Sequence, residues 1–381
     1  MENIPTLILS ENQRFASLIK HIEQIGDPRI NRRKKHKYTS IIIMALCAMI
    51  GGADNYTSMA IFAQDRKHLF NQFLDLPHGI PSHDTFNRVL SKTNSTTITH
   101  WLLLWQSEEQ CQFDKYVHID GKMHKALKSR YHMNIVHAWG AQTGSVINQV
   151  RVPRESNEIV AVPMLLKHMT LTNKVVTADA LNTQKNIVRL IVEKGGDYIL
   201  PVKANQHQFF DDLKLFMDDV KNRVFKHIPV DYYQTFDKGH GRTELRRCWA
   251  TNVVDWLYQK TEWRGLYTII VVESICRKKW GIQHSCRYFI SSLPPRAKKA
   301  LEIIRSHWHI ENRLHWHLDT DFNEDRSTVR DSWGAQNINL LRCLSLSLLI
   351  KSDSKRSIKD RRALAAFDFS YLLKTLLSRH N

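Results

Sequence analysis

Glycine, proline and long apolar runs are scarce in this chain. Glycine and proline supply only 14 and 10 of the 381 residues, a composition that excludes collagen-like repeats and glycine-rich or proline-rich disordered sequence. The longest uncharged apolar run, residues 41–50, ends at Gly51 and is too short to cross a bilayer as a helix. With 43% hydrophobic and 24% charged residues, the composition is typical of a globular protein with a sizeable core.

Closely spaced cysteines are also lacking. The six cysteines are scattered, and none belongs to a Cys-x-x-Cys pair of the kind that indicates a zinc ribbon or a redox motif. No apolar segment typical of a signal peptide follows Met1. We therefore expect a cytoplasmic, nucleoid-associated protein with no membrane partner.

Acidic residues are few relative to basic ones. Lys and Arg together number 55 against 37 Asp and Glu, which gives a formal net charge of +18. Such an excess is typical of proteins that displace counterions from a phosphate backbone, so nucleic acid is the leading expected partner. Two alternatives are a charge that only aids solubility and binding to an anionic membrane surface.

Hydrophobic periodicity divides the chain into a helical N-terminal part and a mixed part. In the N-terminal domain, residues 1–111, the pattern predicts helices over residues 14–25, 39–50, 59–70, 83–91 and 97–111. From residue 112 to 351, strand-like runs alternate with helices, which predicts a mixed α/β sheet flanked by helices. A strand-rich stretch at about 222–294 looks like an insertion, and residues 352–381 form a basic, loosely patterned tail.

Carboxylates follow two of the predicted strands. Asp120 ends the apolar run 116–119 and is followed by Gly121, which allows a ligand to approach the backbone closely. Asp179 ends the run 174–178 in the same way. Two such carboxylates side by side repel each other unless a divalent cation neutralises them. Taken singly, each Asp is more often a turn or helix-cap residue, so the metal hypothesis needs a third carboxylate.

A third carboxylate lies on a long predicted helix that runs from residue 297 to about 317. His307, Glu311 and His315 are spaced by four and should share one face, with Asn312 and Asp319 close by. One alternative is that His307, Glu311 and His315 bind zinc. Another is a solvated helix with a salt-bridge ladder, although two tryptophans in the segment argue against full exposure.

Three carboxylates of this kind fit two-metal phosphodiester chemistry. Two Mg²⁺ ions, for which Mn²⁺ can substitute, would be held by Asp120, Asp179 and Glu311, with Asp120 bridging both. Polar and cationic side chains near them would position the scissile phosphate or the flanking strand. The candidates for this role are Lys122, Arg305, His307, Asn312 and His315.

Several segments together resemble the ISAs1 family of insertion-sequence transposases, which includes the H-repeat-associated proteins. The N-terminal domain contributes the similar segment 79–89, Gly-Ile-Pro-Ser-His-Asp-Thr-Phe-Asn-Arg-Val. The remaining similar segments are Asp120-Gly121-Lys122, residues 155–159, 177–180, 197–206 and 240–244, and the helix 307–319. The resemblance covers nearly the whole chain.

The resemblance implies an RNase H-like catalytic core with a β-rich insertion between the second Asp and the Glu. It also implies the catalytic triad Asp120, Asp179 and Glu311, metal-dependent cleavage and strand transfer at transposon ends, and a homodimer on double-stranded DNA comprising the ends and the target. An RNase H-like nuclease without strand transfer, and a DNA-binding relic that has lost catalysis, remain alternatives.

A group of polar residues in the matching segments offers further DNA contacts. Asn205, His240, Arg242 and Glu244 could hold a DNA end or a hairpin-like intermediate if the loop around His240 closes over the active site. Lys203 is a further candidate DNA contact. The alternative is that Arg242 pairs with Glu244 on a β-hairpin and that Asn205 caps the following helix.

Overall fold

The computed structural model describes residues 12–32, 34–108, 114–124, 133–222, 227–239, 241–352 and 355–378. It comprises two compact units, each built from separate stretches of chain. The first unit combines Met1–Asp114, Lys122–Arg151 and Glu311–Asn381, and the second combines Lys115–Gly121 and Val152–Ile310.

The N-terminal helices belong to the first unit. They are α1 (Gln13–Ile25), α2 (Tyr38–Ile50), α3 (Tyr56–Asp65), α4 (Lys67–Phe70), α5 (His83–Lys92) and α6 (Ser95–Ser107). The helix predicted over residues 59–70 is two helices, and the first begins earlier because Asn55 and Ser58 form a reciprocal capping box. Nearly every side chain of α2 is buried, which agrees with the interpretation of the apolar run as a core helix.

The strands form a single mixed sheet. They are β1 (Tyr116–His124), β2 (Met133–Gly140), β3 (Ser145–Arg151), β4 (Val175–Ala178), β5 (Asp197–Val202), β6 (Asp231–Gly239), β7 (Arg242–Thr251), β8 (Thr268–Lys278) and β9 (Gly281–Ser291). Their order is β3-β2-β1-β4-β5-β9-β8-β7-β6. The predicted fold class is confirmed as a mixed α/β sheet flanked by helices, preceded by a helical N-terminal region.

The β-rich insertion extends the main sheet. Its last strand, β9, pairs antiparallel with β5, with Ile199 opposite Ser291 and Val202 opposite Tyr288. Strand β6 lacks the apolar alternation that marks a strand with one buried face, because its side chains are all exposed or half-buried. Four helices complete the second unit: α7 (Glu158–Lys167), α8 (Lys185–Glu193), α9 (His207–Lys221) and α10 (Ala297–Ser306).

The described part of the C-terminal segment of the first unit is largely helical. It contains α11 (Trp316–Thr320), α12 (Ser332–Lys351), α13 (Ile358–Phe367) and α14 (Phe369–Leu376). The loosely patterned tail predicted from residue 352 is therefore largely two helices. The helices were not predicted because basic residues in this segment suggested a solvent-exposed tail. Arg362 is instead buried, and it donates to the carbonyl of Met49 at 3.1 Å and to Asp54 at 2.9 Å. Among the described residues, no helix combines the length and apolar character needed to cross a membrane.

The turn between β2 and β3 depends on one buried carboxylate. Asp114 Oδ1 accepts hydrogen bonds from the backbone N–H groups of Gln142 and Thr143, both at 2.9 Å. Its Oδ2 accepts from the Thr143 hydroxyl at 2.6 Å. Because these groups are largely buried, the carboxylate replaces the water that they would otherwise bind.

Replacing Asp114 with Ala should lower the free energy of unfolding by about 3 kcal/mol, because buried donors lose a charged acceptor. Urea denaturation measures this change, and the exposed Asp84→Ala variant is the control, with an expected change below about 1 kcal/mol. Equal stability of the two variants would contradict the role assigned to Asp114.

Candidate active site

The parallel pairing of β1 with β4 brings two candidate carboxylates together in the second unit. The registered pairs run from Tyr116 opposite Val175 to Ile119 opposite Ala178. Asp120 and Asp179 are the next residues on the two chains, and both side chains are half-buried. Because neighbouring strands lie about 5 Å apart, the two carboxylates occupy adjacent positions at the same edge of the sheet.

Both carboxylates accept hydrogen bonds from nearby backbone. Asp120 Oδ1 accepts from the Gly121 N–H at 3.0 Å. Asp179 Oδ1 accepts from the Asn182 N–H at 3.1 Å and from Asn182 Nδ2 at 2.8 Å. Asp179 therefore stabilises the turn after β4, which is the role of a turn residue that the sequence analysis gave as an alternative. It also lies beside Asp120.

A chain of three polar side chains lies beside these carboxylates. Side chains alternate along a strand, so His118 shares the face of Asp120. His118 Nδ1 lies 2.7 Å from the Thr177 hydroxyl, and His307 Nδ1 lies 2.7 Å from the same hydroxyl. One hydroxyl can donate to one ring and accept from the other, which requires that the two neutral rings have different tautomers.

Burial keeps both histidines neutral. It lowers the pKa of His118 to about 2, with a further contribution from the nearby His307, and it lowers the pKa of His307 to about 4, together with the charge of Arg287. His307 was predicted to contact DNA. Its Nδ1 is instead occupied inside the second unit by Thr177, so a phosphate would have to compete with an internal hydrogen bond.

Lys122 is likewise occupied within the protein, in the first unit. Its side chain is 7% exposed, and its ammonium group lies 2.6 Å from Asp319 and 3.5 Å from Glu324, which is fully buried. Burial raises the pKa of Glu324, but the nearby His124, Arg342 and Lys122 bring it below its ordinary value. The predicted phosphate contact is thus a buried ion pair.

Glu311 lies in the first unit on a different kind of helix from the one predicted. The helix expected over residues 297–317 is α10, then a π-helix over Ile310–His315, then α11. In a π-helix the hydrogen bonds run to the fifth residue, so the turn is wider than the α-helical turn that the periodicity predicted. Glu311 and Asn312 are exposed, whereas His315 is half-buried with its ring centroid 5.5 Å from that of His137.

The remaining predicted contacts fall in the second unit. Lys203 and Asn205 are exposed beside α9, and Asn205 Nδ2 donates to the carbonyl of Ala180, next to Asp179, at 2.9 Å. Arg305 is part-exposed and lies 3.1 Å from Asp237. Arg242 is exposed at the start of β7. His240 lies outside the described residues.

The structural alternative for these residues is only partly right. Residues 231–251 do form a hairpin, in which Gly239 pairs with Arg242. However, Glu244 pairs with Arg246 rather than with Arg242, and it accepts from Ser274 at 2.7 Å. Asn205 lies within the turn Ala204–Gln206 and bonds to Ala180 instead of capping α9.

Asp120 and Asp179 supply part of what a metal site needs. The carboxylates of Asp120 and Asp179 are oxygen ligands of the kind that hard divalent cations take, and their adjacency fits such an ion. Among the described residues, no group of three or more His, Cys, Asp or Glu side chains is arranged to hold a metal ion, and this includes the zinc alternative at His307, Glu311 and His315.

Two side chains near Asp179 were missed as functional candidates. Asn182 is fully buried, and its Nδ2 donates to both Asp179 and Glu158. The signal for Asn182 was present, because an Asp followed three residues later by Asn favours a hydrogen-bonded turn. Glu158 lay in one of the segments that carry the family resemblance, but nothing local to that segment indicates its partner.

Lys122→Met should lower the free energy of unfolding by about 3 kcal/mol, because it leaves two carboxylates without their buried cation. The matched control is Lys203→Met, an exposed lysine whose replacement should change stability by less than about 0.5 kcal/mol. A Lys122→Met protein with unchanged stability and weakened DNA binding would identify Lys122 as a phosphate contact instead.

Stability should fall as the pH drops below 6.5. The pKa values of His118 and His307 are lower in the folded chain than the ordinary value of 6.5, so the unfolded chain binds more protons below that pH. Stability is full above pH 6.5 and declines by about 1.4 kcal/mol per pH unit for each histidine, down to about pH 4.

Denaturation of the wild type and of His307→Gln between pH 7 and 4.5 checks this expectation. In His307→Gln, the free energy of unfolding should fall less steeply with pH, by about 1.4 kcal/mol per pH unit, which is the contribution of one histidine. The exposed His68→Gln should retain the wild-type slope. An unchanged slope in His307→Gln would mean that His307 titrates normally in the folded chain.

Two family models together match most of this chain. The family described as "DDE_Tnp_1-associated" matches residues 19–106, and the family "Transposase DDE domain" matches residues 104–348. One solved structure, a piggyBac transposase synaptic complex with hairpin DNA, aligns over 97% of this chain and 83% of its own at 11% identity and a TM-score of 0.41, a level of likeness that supports no inference.

Curated relatives match almost end to end. The chain is 32% identical to "H repeat-associated putative transposase YhhI" of Escherichia coli K12, over 95% of this chain and 98% of the relative. It is 33% identical to YncI of Escherichia coli O157:H7, also named as a transposase, over 96% and 95%. A protein of Xanthobacter autotrophicus encoded in the dhlA 3' region is 37% identical over 71% and 92%. The chain therefore belongs to the DDE transposase family, among the relatives of the H repeat-associated proteins.

Proposed function

We propose that the protein is a transposase that cuts DNA at the ends of an insertion sequence of the ISAs1 family and joins the cut strand to target DNA. Membership of the DDE transposase family supports a DNA-cutting enzyme in general terms. The observation that carries the specific proposal is the adjacent placement of Asp120 and Asp179 at the ends of paired parallel strands.

The proposed metal ligands are Asp120, Asp179 and Glu311. These carboxylates would hold two divalent cations, Mg²⁺ or Mn²⁺. When bound, such a pair of cations activates the attacking oxygen and stabilises the leaving oxygen of the phosphodiester. The chain itself orients the ligands: the hydrogen bonds from Asn182 to Asp179 Oδ1 fix the direction of that carboxylate.

The proposed DNA contacts are the exposed members of the predicted set. Lys203 and Arg242 offer charge to phosphates, and Arg305 offers a guanidinium group that remains part-exposed beside Asp237. Asn205 lies next to the turn that follows Asp179. The net charge of +18 supports a polyanionic partner. We propose double-stranded DNA at transposon ends and target, bound by a homodimer.

Asp120→Asn and Glu311→Gln should each abolish cleavage while leaving DNA binding within about twofold of wild type, because each removes a metal-binding charge and little else. The assay incubates the full chain with supercoiled plasmid carrying the flanking ends of its own element, with Mg²⁺, Mn²⁺ or EDTA. Losses of at least about 10³-fold in the single-turnover rate are expected for groups on which the chemistry depends.

Asp211→Asn, which changes an exposed carboxylate on α9, is the matched control and should cleave at the wild-type rate. Cleavage at the ends without joined products would favour a nuclease without strand transfer. Binding without cleavage in either metal would contradict the proposal and favour a DNA-binding relic.

A further inference from the structure

Glu158 places a further carboxylate beside the paired strands, within the second unit. It is the first residue of α7, directly after Asn157, whose side chain caps the helix by accepting from Ile159 N–H at 3.1 Å. The side chain of Glu158 is half-buried and lies over Gly121, the residue after Asp120. A Cβ atom added at Gly121 would overlap this carboxylate, so the glycine leaves room for it.

The carboxylate of Glu158 is connected to Asp179 through one amide group. Asn182 Nδ2 donates to Glu158 Oε2 at 3.2 Å and to Asp179 Oδ1 at 2.8 Å. The side chain of Asn182 is fully buried. With both hydrogens of the amide directed at acidic oxygens, its orientation is fixed, since a reversed amide would present its oxygen to two carboxylates.

We propose that Glu158 is a positioning residue that sets the direction of the Asp179 carboxylate through Asn182, with Gly121 providing the space for it. The inference rests on the proposed function, because Asp179 matters in this way only as a metal ligand. Hydrogen-bonded partners of metal-binding carboxylates orient them, and their loss typically costs about 10-fold to 100-fold in metal affinity or activity.

The geometry favours positioning over direct metal binding. Along β1 the side chains alternate between faces, so the space above Gly121 lies on the opposite face from Asp120. Glu158 fills that space, and its carboxylate accepts a hydrogen bond from Asn182. The Glu158 carboxylate therefore acts on Asp179 through the Asn182 amide, from the face of β1 opposite Asp120.

Four variants test the proposal: Glu158→Ala, Glu158→Gln, Gly121→Ala and the double variant Gly121→Ala/Glu158→Ala. Glu158→Ala should lower both the affinity for Mn²⁺ and the single-turnover cleavage rate by about 10-fold to 100-fold. Affinity for plasmid DNA should stay within about twofold. Glu158→Gln keeps an oxygen that accepts from Asn182, so it should retain a larger share of both properties than Glu158→Ala.

Gly121→Ala gives the sharper readout. Its backbone angles suit alanine, since φ at this residue is not positive, so its defect should come from displacing Glu158. The variant should resemble Glu158→Ala, and the double variant should be no worse than Glu158→Ala alone. Such non-additivity marks two residues that act through one interaction. Multiplied losses in the double variant would overturn the coupling.

Glu155→Ala and Glu155→Gln are the matched controls, because Glu155 is an exposed carboxylate three residues earlier in the same segment. Both should bind Mn²⁺ and cleave as the wild type does. Thermal melting of every variant shows that the chain is folded. If Glu158→Ala binds Mn²⁺ and cleaves as Glu155→Ala does, the inference is wrong while the proposed function stands.

Calorimetric titration with Mn²⁺ alone, without DNA, separates the two hypotheses. A wild-type chain that binds Mn²⁺ but cuts no DNA contradicts the proposed function, yet the Glu158 variants still decide whether Glu158 orients a metal ligand. A wild-type chain that binds no Mn²⁺ overturns the inference, because Asp179 is then not a metal ligand.

Discussion

The pairing of β1 with β4 is the constraint on which the candidate site depends. Parallel register from Tyr116 and Val175 to Ile119 and Ala178 leaves Asp120 and Asp179 side by side. Two adjacent carboxylates repel each other, so the strands must hold them together through hydrogen bonds and buried apolar contacts that are independent of the carboxylates. Both strands supply such contacts, since the paired residues other than Tyr116 are buried.

Several polar side chains around these strands bind to other groups of the protein itself. His118 and His307 each hydrogen-bond to the Thr177 hydroxyl. Because both rings are neutral, the protein avoids the cost of burying charge next to the sheet. Lys122 is charged, and Asp319 and Glu324 compensate it. His307 and Lys122, which were candidate DNA contacts in the sequence, therefore have structural partners in the protein. Such partners distinguish the groups that maintain the fold from those that remain accessible to a ligand.

The sequence predicted what depends on local pattern and missed what depends on distant partners. Asp120 and Asp179 could be recognised because each ends an apolar run, and that pattern lies within a few residues. The ion pair of Lys122 could not be predicted, because its partner Asp319 is 197 residues away in the chain. The π-helix at Glu311 was missed because helical periodicity does not reveal a single wider turn.

The same distinction applies to the charge of the chain. Formal net charge counts Lys122 and Arg362 as available cations, although both are buried and bonded within the first unit. Lys203 and Arg242 are exposed, and they lie in the second unit, which also contains Asp120 and Asp179. Since exposed charges contribute little to stability, these cations can change without loss of the fold. In the proposed function, affinity for DNA can therefore vary independently of folding, whereas removing one partner of a buried ion pair destabilises the first unit.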